Sequence, residues 1–148
     1  MRRNVLFAAM ISLALCASCG IPNAKNASAV SEDSAVDFSG EWSDEAGGPT
    51  VIDLWKDDEG IWHGEISRSD MNDSACFWSF SGNASGSEIV YSDMTKVVGS
   101  YDREGEGTEE TVYENGSGAI GIAEGKMYWR DDKENAAGGL YFIYTGEY

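Results

Sequence analysis

From Val36 onward the chain alternates apolar and polar residues with a period of two, broken by short clusters of Gly, Asn, Asp and Ser. A period of two puts successive side chains on opposite faces of an extended chain, so it calls for strands. An amphipathic helix needs a period near 3.6, and no stretch here supplies a convincing one. In "TVIDLWK", Ile52 and Leu54 share one face and Trp55 falls on the other. "DDEG" turns the chain, and "IWHGEIS" returns with Trp62, Gly64 and Ile66 on one face and His63, Glu65 and Ser67 on the other. "GAIGIAEGKMYWR" is a second hairpin about "AEG", with Met127 and Trp129 on one side and Lys126, Tyr128 and Arg130 on the other. "ACFWSF" and "SEIVYSD" read as two more strands joined by the loop "SGNASG", and "GLYFIYTGEY" closes the chain. The connections are too short for crossover helices. The predicted fold class is therefore all-β: a small antiparallel up-and-down barrel of eight to ten short strands, because closure removes exposed edges. A two-sheet sandwich is the alternative.

The N-terminus has a different character. "MRRNVLFAAMISLALCASCG" has two arginines, an apolar run from Val5 to Leu15, and then small residues, which is the pattern of a secretory signal. The run is shorter than the roughly 20 apolar residues of a membrane span. "LCASC" resembles the lipobox of bacterial lipoproteins, with Ala17 and Ser18 before Cys19, although Cys16 stands where that motif usually has Leu. The resemblance implies cleavage before Cys19 and a diacylglycerol on its thiol; ordinary cleavage with release, or a retained anchor, are the alternatives. Residues 20 to 36 are rich in Ala, Ser and Asn without periodicity, as in a flexible tether. The expected organisation is a signal peptide at 1–18, a lipidated cysteine and tether at 19–36, and a barrel domain at 37–148. The implied location is the bacterial cell envelope, lipid-anchored and facing outside the cytoplasm, on the cell surface or in the periplasm.

The chain carries 26 acidic residues against 10 basic ones, a net charge of −16. Loss of Arg2 and Arg3 with the signal would take two positive charges from −16 and leave −18. Such a charge argues against nucleic acid and against electrostatic binding to an anionic membrane, and favours cationic partners. Contact with the membrane is expected through the N-terminal lipid. At 148 residues, 11% of them aromatic, the chain can bury one real core. Of its three cysteines, an acylated Cys19 and a cleaved Cys16 leave Cys76 without a partner. Cys76 is expected to be a buried, inert thiol on a strand, and no disulfide is predicted.

"FSGEW" opens the folded part, with Gly40 and Trp42 separated by one variable residue. This resembles the first strand of calycin-type barrels, the group that includes lipocalins, fatty-acid-binding proteins and avidins. The resemblance implies that Gly40 lets the chain into the barrel floor and that Trp42 plugs that end. From Ser39 to Ser67 the chain is similar to the first strands of avidin-type barrels, and their ligand-holding polar positions would fall on Asp44, Gly48 and Ile66. A glycine offers no side-chain donor and an isoleucine no hydrogen bond, so biotin is not expected. The lipocalin pattern also implies a basic residue near the last strand, stacked on the tryptophan. Residues 140 to 148 hold no Lys or Arg, and Arg130 is the candidate substitute over Trp42.

His63 is the only histidine, so neither a His-based triad nor a multi-histidine metal site is expected. It is expected to be a solvated side chain. Asp57, Asp58 and Glu59 match no EF-hand spacing and read as a charged hairpin tip. "REGEGTEE" and "RDDKEN" read as solvated loops. No phosphate loop, nucleophile elbow or zinc spacing appears, and no catalytic residue, metal or cofactor is predicted. The informative side chains are tryptophans. Trp62, Trp78 and Trp129 fall on apolar strand faces, either filling the barrel or, with Trp42, lining a ligand mouth. The expected function is non-catalytic binding of a small apolar ligand or an envelope protein. The alternative is a packed-barrel structural or interaction module, such as an envelope-complex subunit or an inhibitor. A hydrolase using a carboxylate pair comes third.

Overall fold

The computed structural model describes residues 36–70, 73–101 and 107–146, without the side chain of Tyr101. The signal segment, Cys19 and the tether up to residue 35 lie outside the described residues. Eight strands follow in chain order: β1 Gly40–Asp44, β2 Thr50–Lys56, β3 Trp62–Ser69, β4 Ser74–Ser85, β5 Glu88–Tyr101, β6 Gly107–Ala123, β7 Lys126–Asp131 and β8 Tyr141–Gly146. Each pairs antiparallel with the next, and β8 pairs back with β1, so one sheet closes into a ring. No helix occurs among the described residues.

The turns follow from local chemistry. At the β2–β3 turn the Asp57 carboxylate accepts the backbone N–H groups of Glu59 and Ile61 at 3.0 and 2.8 Å. At the β6–β7 turn Glu124 and Gly125 both take positive φ, 55° and 77°, the pair of conformations that matches the twist of a two-residue hairpin. The expected loop "SGNASG" is corrected: residues 81–85 continue β4, and the turn falls at Gly86 and Ser87. Gly82 misleads because it is no turn residue. It marks a close approach, where an added Cβ would lie 2.6 Å from the Val90 carbonyl oxygen. Part of "REGEGTEE" is corrected too, since Gly107 to Glu110 pair with Val98 to Tyr101. So is part of "RDDKEN", since Arg130 and Asp131 end β7 and Asp131 is buried, its carboxylate accepting the Lys133 and Ala136 N–H groups.

Alternation sets the core. Phe38, Ile52, Leu54, Ile66, Met94, Ile120, Met127 and Phe142 are at most 1% exposed. The four predicted tryptophans join them: Trp42, Trp62, Trp78 and Trp129 are 7, 4, 2 and 4% exposed. Their rings meet other rings edge-on, Trp78 against Trp129 at 5.2 Å and Phe38 against Trp62 at 5.4 Å. Trp42 donates its indole N–H to the Phe38 carbonyl at 3.0 Å and meets the edge of Tyr144. Arg130 does not lie over it. It is exposed on the outer side of β7, where its Nε donates to Asp132 at 3.0 Å, because its strand parity opposes that of Trp129. Cys76 is a free, half-buried thiol on β4.

Candidate functional site

Two of the predicted tryptophans border concave surface. Trp62 lines a shallow hollow of about 530 Å³ together with Val36, Trp55 and Lys56. Trp78 backs a groove on the outside of the sheet, while Trp42 and Trp129 lie within the core.

Register builds that groove. Side chains of equal parity line up across neighbouring strands, so the outer faces of β2 to β5 carry rows of residues. One row is Asp53, Glu65, Ser79 and Thr95; the next is Val51, Ser67, Phe77 and Val97. Between them runs a groove of about 380 Å³ lined by Asp53, Glu65, Phe77, Val97 and, from β6, Glu109. Phe77 is 38% exposed, a large apolar ring left in solvent beside three carboxylates. Asp53 and Glu65 stand directly opposite each other in the β2–β3 register, which gathers two acidic side chains on this wall of the groove. Phe77 and Val97, its cross-strand partner, were not singled out in the sequence. Their only signal there is an apolar residue on the wrong side of an alternating strand.

A second hollow, about 270 Å³, adjoins the groove through Glu65 and Ser79 and is lined by Trp55, His63, Ser81 and Asp93. Here the expectation of a solvated histidine is corrected. His63 Nε2 lies 2.8 Å from Asp57 Oδ2, its Nδ1 lies 3.2 Å from Ser81 Oγ, and its ring stacks on Trp55 at 5.7 Å. The hydrogen bond from His63, followed by that from the Ile61 N–H, holds the Asp57 carboxyl below its usual range. Asp, His and Ser in that order have the connectivity of a hydrolytic triad. Acyl transfer also needs donors aimed at the developing oxyanion. The Ser81 N–H is instead given to Asp93 Oδ1 at 2.9 Å, and Glu65 and Asp93 border the same hollow and oppose negative charge. What the network does visibly is tie the β2–β3 turn to β4. Among the described residues no group of three or more His, Cys, Asp or Glu is placed to hold a metal. Compared with protein-family models, with curated proteins and with solved structures, the chain matches none.

Proposed function

We propose that the chain is an envelope lipoprotein, anchored through Cys19, whose calycin-like barrel is a packed interaction module. Its outer groove takes a basic, partly apolar segment of a partner protein. The observation that carries this is the placement of opposed Asp53 and Glu65 beside exposed Phe77 in a groove of about 380 Å³. Carboxylates supply attraction and steering for Lys and Arg, and the ring supplies a desolvated anchor. The net charge of −16 extends the same complementarity over the surface. A carrier of small apolar ligands needs interior volume, and the side chains of Trp42, Trp62, Trp78 and Trp129 occupy that space.

The test is titration of the purified mature protein with an eight-residue peptide of alternating Lys and Leu, followed by calorimetry at two salt concentrations. Binding should be micromolar and should weaken with salt. Glu65→Lys should weaken it at least tenfold, which corresponds to about 1.4 kcal/mol, and Phe77→Ala should do so by a similar factor. Equal binding by both variants, or saturable uptake of a neutral apolar probe in preference to the peptide, would overturn the reading.

A further inference from the structure

At the end of the ring where β7 leads into β8, three cations stand over two aromatic rings, beside Asp131 and Glu134, whose charges act on Tyr113. The Arg68 guanidinium is 5.6 Å from the centre of the Trp78 ring, and Lys96 Nζ is 5.3 Å from it. Lys96 Nζ is also 5.9 Å from the Tyr113 ring, and Lys133 Nζ is 4.9 Å from that ring. Trp78 donates its indole N–H to the Tyr113 hydroxyl at 3.2 Å, which fixes the two rings relative to each other. The described residues hold six Lys and Arg: Lys56, Arg68, Lys96, Lys126, Arg130 and Lys133. Half of them therefore stand over one aromatic pair, in a chain of net charge −16.

Like charges repel unless an anion offsets them. Buried Asp131 is one such anion; the one paired with a cation is Glu134, on the β7–β8 connection, whose Oε2 lies 2.6 Å from Lys96 Nζ. The Lys96 side chain is 14% exposed and that of Glu134 34%, so the pair is sheltered on the lysine side and reachable on the other. The same connection lends the Ala136 carbonyl to Arg68 Nη2 at 2.7 Å and packs Ala136, Ala137 and Leu140 against the core. It is a short, turn-rich segment that takes positive φ at Asn135, Gly138 and Gly139. What this end of the ring holds is thus a carboxylate followed by a short apolar stretch.

We infer that this end is a binding site for a monocarboxylate with a short apolar or aromatic tail, in which Glu134 occupies the headgroup position and Ala136, Ala137 and Leu140 the tail position. This goes beyond the outer groove and shares no charged residue with it. The ligand exchanges with the resident segment: Lys96 trades one carboxylate for another of equal charge, Arg68 keeps its Nε on Thr50 Oγ1 at 2.9 Å and turns to the ligand the Nη2 donor now given to Ala136, and both cations stay over the Trp78 ring. A dianion fits less well, because buried Asp131 stands at the base of the same connection, its Oδ1 accepting the Lys133 N–H at 3.0 Å.

The experiment uses 4-phenylbutyrate and its neutral amide as probes, read by backbone amide NMR of the mature protein. Glu134→Gln keeps the shape and removes the competing charge. The acid should bind that variant at least tenfold more tightly than it binds the native protein, because a larger fraction is open. Shifts should concentrate on residues 131–140, and the amide should bind at least tenfold more weakly than the acid. Lys96→Met should abolish acid binding. The inference is overturned if Glu134→Gln binds no more tightly than the native protein, if the amide equals the acid, or if the shifts centre on Phe77 and Val97. The amide comparison does not depend on the Lys96 variant folding.

Discussion

Replacing Tyr91 with Phe tests the packed interior with a single atom. Tyr91 is 2% exposed on β5, its ring stacked on Phe80 at 4.4 Å. Its hydroxyl accepts the indole N–H of Trp129 at 2.9 Å and donates to the Arg130 carbonyl at 2.9 Å. Gly118 leaves the space this hydroxyl fills, and a Cβ there would collide with it. Removing the oxygen orphans one buried donor and one acceptor, at about 1–3 kcal/mol for an unsatisfied buried group. The void is about one atom in size and too small for a replacing water. The expected loss is about 2–4 kcal/mol, which for a domain of this size lowers Tm by about 8–16 °C. Urea unfolding followed by tryptophan fluorescence measures it, with the slope on denaturant unchanged. A cycle with Trp129→Phe should show a coupling of about 1 kcal/mol, since the second truncation removes a bond already broken. An unchanged urea midpoint, or zero coupling, would mean that water reaches the hydroxyl, and the case for a filled interior would fall.

Truncating Trp42 to Ala should destabilise the protein by about 3–5 kcal/mol in the same assay, since a 7% exposed indole is lost from the end of the ring. Tyr113 has its phenol pushed up to about 12, by burial first and then by Asp131. A phenol raised on folding contributes its stability in full below the ordinary value near 10 and loses it as pH climbs toward the folded value. Phenolate absorbance should therefore show late titration that Tyr113→Phe reduces by one group, Tyr91 and Tyr128 being raised as well; a single transition near 10 would contradict this. Asp57 is lowered, so its contribution is present above about 4 and declines as pH falls below that. The His63 ring resonances should report that loss on acid titration, and Asp57→Asn should abolish it. Cys19→Ser should move the protein from the membrane fraction to the soluble fraction; release by Cys16→Ser instead would place the lipid on Cys16.

Much of the fold was legible because alternation is a local signal. Ile52, Leu54, Trp62, Ile66, Met127 and Trp129 could be assigned to the inner face from spacing alone, and all six are buried. The signal failed where a glycine or a charge changed its meaning. Gly82 reads as a turn and is a strand residue facing a neighbouring backbone. Glu109 and Glu110 read as loop, because a strand exposed on both faces has no apolar face to reveal it. The candidate sites were less legible, because each depends on register between distant strands. Ser81 reaches His63 from β4, and Lys96 meets Glu134 across 38 positions. A single exposed Phe77 carries no information until Asp53 and Glu65 are known to stand in the next row.

The closing of the ring has a consequence in time. Seven of the eight strand pairings join neighbours in sequence and can form as soon as a hairpin exists. The eighth joins β1 to β8, and Ser43 meets Thr145 across 102 positions. Its loop-closure entropy is paid last and grows only with the logarithm of that length. Before that moment β1 and β8 present raw edges that recruit strands from other molecules. The chain therefore passes through a vulnerable interval that ends only when β8 has paired with β1, and it becomes safe from its own kind in one step.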